Sequence, residues 1–261
     1  MAYEDILYEK KNGVARITIN RVKTFNSFRS QTLAEMSEAL DDSGNDKTIG
    51  VIVLSGAGGK AFCSGGDIAE MRDLDMDTGR AFLYQFLNLF LKIRSAPKPV
   101  IAAINGYCLG GGNEINMVCD LTIASEKSVF GQVGPTVGSI PVLAATQHLP
   151  RNVGDKKAKE IIFLCQRYTA EEARQMGWIN KVVPNDTFED EVQAWCDRIL
   201  EMSPQSLRVA KLSLNFEGDQ LYPSFTHGIE MLAATYGSAE LKEGMTAFLE
   251  KRKPDFNQFR K

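Results

Sequence analysis

Ile104-Asn-Gly-Tyr-Cys-Leu-Gly-Gly-Gly-Asn-Glu-Ile-Asn-Met-Val-Cys-Asp120 is the stretch around which this chain is organised. The apolar run 99–104 leads into it and reads as a buried strand. Gly110, Gly111 and Gly112 follow, and Asn113 opens a short apolar segment that reads as a helix with Glu114 in its first turn. A strand, a glycine turn and a helix start together present bare backbone N–H groups. Without a Cβ in the way, a ligand can approach the main chain closely. The helix dipole adds positive character at the same point, which suits a developing negative charge. A carboxylate beside such amides is a candidate acid–base group. The plainer reading is a tight, well-packed turn. The triple glycine lacks the Gly-Lys-Ser/Thr ending of a phosphate loop and the spacing of a dinucleotide fingerprint.

A second glycine turn lies upstream, in Ala61-Phe-Cys-Ser-Gly-Gly-Asp-Ile68. It too stands just before a helix-like segment. Asp67 reads first as an N-cap and second as a chemical group. Two glycine turns, each followed by a helix start and an acid, raise the odds of a site above those of either alone.

Outward from these turns the chain reads as α/β. Residues 13–20 alternate and are rich in β-branched side chains, as a strand requires. Residues 24–29 form a loop, 30–40 a helix with Ser30 as N-cap, 41–47 a turn region, and 49–54 a buried strand. Strand, helix, strand in this order suggests a crossover unit. Residues 78–94 place Phe82, Phe86, Leu87, Phe90 and Leu91 on one helical face, a core stripe that can also wall a pocket. Residues 121–124 read as a strand and 129–130 as an extended piece. Residues 131–141 form a loop broken by glycine and proline. Helices follow over 142–149, 155–165 and 169–176, the last with a Thr169/Glu172 capping box and a Gly177 stop. After an extended 180–184, the remainder reads as helical: 188–202, 204–214, 224–236 and 239–251. The organisation is a core over 1–200 and a C-terminal helical region over 201–261.

Composition narrows the function. The 261 residues are 44% hydrophobic and 24% charged with a net charge of -3, ordinary values for a globular protein and a poor match for nucleic acid. No stretch is long and apolar enough for a membrane span, and the acidic N-terminus does not read as a signal peptide, so a cytoplasmic location is expected. Five cysteines without a Cys-x-x-Cys pair and only two histidines make metal sites, disulfide frameworks and a Ser-His triad poor expectations. No metal site is expected.

These residues resemble the crotonase (enoyl-CoA hydratase/isomerase) superfamily over nearly the whole chain. The landmarks, in order, are Ile19-Asn20-Arg21 with Asn26-Ser27, then Ala61 to Ile68, and then Lys98-Pro99-Val100-Ile101-Ala102-Ala103-Ile104-Asn105-Gly106. Gly110-Gly111-Gly112, Cys119-Asp120, Phe130-Gly131-Gln132, Ala173 to Gly177 and Val182-Val183-Pro184 complete the series. The resemblance implies a ClpP/crotonase-like fold of repeated ββα units. It also implies a C-terminal helical region used in trimerisation, giving a homotrimer or a dimer of trimers.

The resemblance further implies an acyl-CoA substrate. Its thioester carbonyl would accept hydrogen bonds from the backbone amides of Gly66 and Gly111, with Glu114 as acid–base residue. Coenzyme A enters as part of the substrate and no separate cofactor is expected. Contacts to substrate or coenzyme A are expected at Phe25, Arg29, Ala61, Ser64, Asp67, Ile68, Gln132, Gly134 and Lys251, the last reaching a neighbouring subunit's ligand. Arg29 is the expected phosphate contact.

Hydratases of the family carry a second glutamate after the Phe-Gly-Gln segment, where this chain has Gly134. The segment Phe130 to Ser139, with Asp155-Lys-Lys-Ala-Lys-Glu-Ile161 and Glu250-Lys-Arg-Lys-Pro-Asp-Phe256, resembles instead the dihydroxynaphthoyl-CoA synthase and 2-ketocyclohexanecarboxyl-CoA hydrolase branch. That branch carries an Asp and a Tyr after its Gly-Ser pair, whereas this chain reads Ile140-Pro-Val-Leu-Ala-Ala145. The usual proline after Asn-Arg is Val22 here. Resemblance to the synthase branch implies an anion such as bicarbonate near Gln132 and Gly134.

Three readings follow. The first is hydration of an α,β-unsaturated acyl-CoA, alicyclic ones included, in fatty acid or aromatic degradation. The second is hydrolytic ring opening of a cyclic β-ketoacyl-CoA. The third is a relative that binds coenzyme A or RNA without turnover. Glu114 favours the first, the missing Asp and Tyr weigh against the second, and the acidic balance weighs against RNA.

Overall fold

The computed structural model describes residues 3–260. In chain order the elements are β1 (Ile6–Lys11), β2 (Val14–Ile19), α1 (Ser30–Asn45), β3 (Val51–Gly56), β4 (Ala61–Cys63), α2 (Ile68–Arg72), α3 (Met76–Ser95), β5 (Val100–Ile104), β6 (Tyr107–Leu109), α4 (Gly111–Val118), β7 (Leu121–Ser125) and β8 (Val129–Gly131). They continue with α5 (Leu149–Val153), α6 (Asp155–Leu164), β9 (Arg167–Thr169), α7 (Ala170–Gln175), β10 (Lys181–Val183), α8 (Phe188–Leu200), α9 (Pro204–Asp219), α10 (Tyr222–Ala233) and α11 (Ala239–Leu249).

The strands divide between two sheets. One runs β1-β2-β3-β5-β7-β10 and the other β4-β6-β8-β9. Pairing is parallel except at β1–β2 and β8–β9. The expected ββα repeat is visible in this division. The first strand of each unit (β3, β5, β7) joins the larger sheet, the second (β4, β6, β8) joins the smaller, and helices follow.

The central strands are apolar on both faces because both faces are covered. Alternate residues point to opposite sides. Ile52, Leu54, Ala102 and Ile104 face the core built with α1 and α3. Val51, Val53, Ile101 and Ala103 face Phe188, Val192 and Cys196 of α8.

The C-terminal helices pack back onto this body, α10 on α3 and α11 on α2. Lys211 of α9 is 7% exposed. Its ammonium donates to the carbonyls of Ile93 and Lys98 and pairs with Asp120 at 2.7 Å.

Several boundaries differ from the sequence reading. Helix α1 continues to Asn45 through the region read as a turn, and Arg29 rather than Ser30 is its N-cap. Helix α4 begins at Gly111, two residues before Asn113. The expected helix over 142–149 is a series of turns, because Ala144 adopts φ +64° and breaks the i→i−4 ladder. Regular helix resumes only at Leu149, with Pro150 in its first turn. Strand β1 and the three-residue strands β4, β6 and β9 were not legible from alternation.

Candidate active site

The two glycine turns meet at the ends of adjacent strands. Strand β4 pairs with β6, so the turn 64–67 lies beside the turn at 110–111. Gly65 has φ +108° and Gly110 φ +52° with ψ -123°, conformations that a β-carbon disfavours. Their approach is close. A Cβ on Gly65 would lie 3.2 Å from the Gly111 nitrogen, and one on Gly112 would lie 2.2 Å from the Cys63 carbonyl oxygen.

The upstream turn is held from behind by the Asn-Arg motif. Asn26 is buried at φ +57° and donates from Nδ2 to the carbonyls of Ala57 and Ala61, while its Oδ1 accepts from the Arg21 N–H. Arg21 in turn pairs with Asp67 at 2.9 Å. Asp67 caps α2 by accepting from the Ala69 N–H, as the sequence suggested. Phe28 forms an isolated parallel bridge to Gly66, its N–H donating to Gly65 and its carbonyl accepting from Asp67.

Among the described residues neither the Gly66 N–H nor the Gly111 N–H has an acceptor. Gly111 is the first residue of α4, so its N–H is one of the helix's orphan donors. The two donors open on one cleft of about 710 Å³. Phe28, Met71, Phe82, Leu83 and Phe86 wall it on one side; Leu232, Phe248 and Leu249 from the C-terminal helices also line it. Val133, Gly134, Val137, Ser139, Ile140, Val142 and Leu143 contribute from the glycine- and proline-broken loop and the turns after it.

Glu114 lines the same cleft and is 6% exposed. Its Oε1 accepts from Gln132 Nε2 at 3.1 Å, and Gln132 Oε1 accepts from Asn113 Nδ2 at 3.0 Å. Burial holds the Glu114 carboxyl well above the usual carboxylate range, and the Gln132 N–H pulls in the opposite direction. A carboxyl raised in this way holds its proton more readily than a solvated one, as a group that must both take and return a proton requires. The nearby thiols are not poised in the same way. Burial pushes Cys63 up to about 12 and Cys108 well above its ordinary value.

The sequence-derived residues fall into three groups. Phe25, Ser64, Gly66, Asp67, Ile68, Gly111, Glu114 and Gly134 line the cleft together. Gln132 is buried behind it and reaches it through Glu114. Arg29, Ala61 and Lys251 are not part of the lining.

Arg29, the expected phosphate contact, lies outside the lining and pairs through Nε and Nη2 with Asp5 at 2.8 Å and Glu4 at 2.6 Å. Ala61 lies in buried strand β4, where its carbonyl serves Asn26. Lys251 is exposed just beyond α11.

Two participants escaped the sequence reading. Arg167 is the one cation lining the cleft among the described residues, and its guanidinium lies 5.7 Å from the Tyr107 ring centroid. Tyr107 in turn meets Phe25, a ring 47% exposed at the cleft mouth, edge to face. Arg167 follows an irregular stretch far from the glycine turns in sequence, and only the antiparallel β8–β9 pairing brings it near. Asn113 was read as a helix start and is instead a fully buried donor to Gln132.

Comparison with known proteins agrees with this architecture. Residues 9–260 match the family model described as enoyl-CoA hydratase/isomerase. An enoyl-CoA hydratase from Mycobacterium avium subsp. paratuberculosis K-10 superposes with a TM-score of 0.89 at 27% identity, covering 98% of this chain and 99% of that one. An enoyl-CoA hydratase/isomerase from Xanthobacter autotrophicus Py2 gives 0.87 at 31% identity with full coverage of both chains. A methylmalonyl CoA decarboxylase gives 0.84 at 31% identity, covering 98% and 99%.

Proposed function

The chain belongs to the enoyl-CoA hydratase/isomerase family, and from that premise we propose that it adds water across the double bond of an α,β-unsaturated acyl-CoA, with chain and alicyclic acyl groups both within its class. The observation that carries the proposal is the shared cleft: a buried carboxyl, Glu114, opens on the same space as the two acceptor-free N–H groups of Gly66 and Gly111.

In this reading the thioester oxygen lies against the two amides. Glu114, as carboxylate, takes a proton from water while the water oxygen bonds to the β-carbon. The π electrons move onto the thioester oxygen as an enolate, where two fixed N–H donors stabilise the charge. Losing one such donor typically costs about a hundredfold or more. Glu114, now protonated, returns the proton to the α-carbon and regains its charge. One carboxyl serves both steps in turn. The cleft's apolar walls hold the acyl group, and the cluster of Phe25, Tyr107 and Arg167 at its mouth takes the nucleotide end of coenzyme A.

A ring-opening hydrolase of cyclic β-ketoacyl-CoAs is the second reading. Gly134 favours it, since it stands in the cleft where hydratases of the family carry a second glutamate. An anion such as bicarbonate near Gln132 and Gly134 would then supply the missing charge. In either reading the chain works as a homotrimer or a dimer of trimers in the cytoplasm, and Lys251 meets a neighbouring copy's ligand. The exposed apolar residues Val209, Leu212, Leu214 and Phe216 of α9 support self-association. Among the described residues no helix is long and apolar enough to cross a membrane.

The test is mass spectrometry of products from crotonyl-CoA, a cyclic enoyl-CoA and a cyclic β-ketoacyl-CoA, run with the wild type and Glu114→Gln. Gain of one water without ring opening, lost in the variant, supports hydration. A ring-opened dicarboxylic product that persists in the variant supports the hydrolase instead.

A further inference from the structure

We infer that Asn113 is a positioning residue: by donating Nδ2–H to Gln132 Oε1 it fixes which end of the Gln132 amide faces Glu114. The inference rests on the reading of Glu114 as the acid–base group and adds a residue that acts through another.

A glutamine amide has nearly the same shape in either orientation, so shape alone does not select between them. With its NH2 toward Glu114 it donates to the carboxylate. With its carbonyl toward Glu114 it repels the carboxylate and accepts only from the protonated acid. Asn113 breaks this tie, because its own amide is set by the same accounting: turned over, it would face Gln132 with its carbonyl and leave its NH2 unpaired, a rarer and costlier state than the unpaired Oδ1 it has. Its Nδ2 lies 3.0 Å from Gln132 Oε1, which leaves Gln132 Nε2 to meet Glu114 Oε1 at 3.1 Å. The relay also occupies one carboxylate oxygen, so Oε2 is left for substrate chemistry.

A packing role alone does not account for the residue. Asn113 is 0% exposed, and its Oδ1 has no hydrogen-bond partner among the described residues. A buried unpaired acceptor is costly, and an apolar side chain of similar size would avoid it. What only the amide supplies is the donor.

Among the described residues no charge packed against α4 substitutes for the relay; the nearest pair, Asp120 with Lys211, lies beyond the helix's C-terminal end. Strands β6 and β4 bring the thiols of Cys108 and Cys63, both held neutral by burial, and β6 also brings the Tyr107 phenol. Helix α3 brings Phe82, Leu83 and Phe86. Across the cleft, Asp67 is paired with Arg21, and Arg167 lies at the mouth over Tyr107.

The test compares wild type, Asn113→Leu, Gln132→Leu and the double variant. The first readout is the pH profile of kcat/KM with whichever acyl-CoA the product survey identifies. The second is direct titration of the Glu114 carboxyl by NMR of 13C-labelled protein, assigned with Glu114→Gln. In Asn113→Leu the acid limb and the carboxyl titration should both move up by about one pH unit. Gln132→Leu should move them as far, and the double variant no further than Gln132→Leu alone. An unmoved titration in a folded Asn113→Leu, or additive shifts in the double variant, would overturn the inference. If Asn113→Leu does not fold, Asn113→Ala takes its place under the same criteria. The NMR arm needs no turnover, so failure of the hydration reading and failure of this inference are told apart.

Discussion

Gly112 sits where a β-carbon would lie 2.2 Å from the carbonyl oxygen of Cys63. This contact locks the α4 turn against the β4 turn, and so sets the spacing of the Gly66 and Gly111 amides. The two glycine sites differ in tolerance. At Gly112 the obstructing atoms are backbone, whereas a Cβ on Gly66 meets the Met71 sulfur, near the end of a flexible side chain. Gly112→Ala should therefore lower stability by about 1–3 kcal/mol or more and abolish turnover. Gly66→Ala should fold with a near-native midpoint in urea. Equal loss of stability in both would show that the turns are not interlocked as described.

Glu114→Gln should exchange activity for stability. Turnover should fall by roughly 10²–10⁴-fold, the range for loss of a general acid–base group. Stability should move the other way. The folded carboxyl titrates above its unfolded value of about 4.5. Below that unfolded value both states are protonated and the residue costs nothing. As pH rises from there through the folded value, the unfolded chain ionises first and stability is lost. Thermal melts should show Glu114→Gln more stable than wild type at pH 8, with the gap closing toward pH 4. A gap that does not vary with pH would contradict the burial of a titrating carboxyl.

The core of the fold was legible because its strands are buried on both faces and its helices carry long apolar stripes. The run 99–104 and the glycines after it give strand, turn and helix start directly. Three-residue strands such as β4 and β9 are too short to show alternation and exist through pairing with partners far along the chain. The turns over 142–148 read as a helix because Val142, Leu143, Ala144 and Ala145 are apolar and packed, but the positive φ of Ala144 is a tertiary outcome. In the candidate site, Glu114 and the two glycine turns were legible from local sequence, while Gly66 and Gly111 were singled out within those turns by the family resemblance. The fate of Arg29 was not, because Asp5 and Glu4 lie 24 and 25 residues away in sequence. Nothing local distinguishes a free arginine from a paired one. Arg167 was hidden for the converse reason.

Arg167 carries a kinetic prediction. As the one cation lining the cleft among the described residues, it should hold a phosphate of the coenzyme A portion. Arg167→Ala should raise KM about tenfold for a CoA thioester, in line with loss of one charge-assisted hydrogen bond, and leave kcat largely in place. With the matching pantetheine thioester, which lacks the nucleotide phosphates, the variant and wild type should be indistinguishable. An undiminished KM effect on the pantetheine thioester would move Arg167 to an anionic group on the acyl portion.

Lys211 anchors α9 to the end of α3 and to the connections that lead into β5 and β7. Asp120 receives the Lys211 ammonium and the Val100 N–H, and burial raises the carboxyl while lowering the ammonium. Removing one partner of a buried pair leaves the other uncompensated, so Lys211→Met should cost about 3–5 kcal/mol in chemical denaturation. The double variant with Asp120→Asn should recover part of that loss. A loss below about 1 kcal/mol for Lys211→Met would show that the pair does not hold the helix.

In the proposed hydration Glu114 moves the proton while the Gly66 and Gly111 amides hold the charge. The most direct measurement is turnover of crotonyl-CoA in D2O, with the product resolved by mass spectrometry and NMR for the wild type and Glu114→Gln. The expected product is a 3-hydroxyacyl-CoA with deuterium at the α-carbon, formed about a thousandfold more slowly by the variant. The same product formed by Glu114→Gln at the wild-type rate would contradict this role of Glu114.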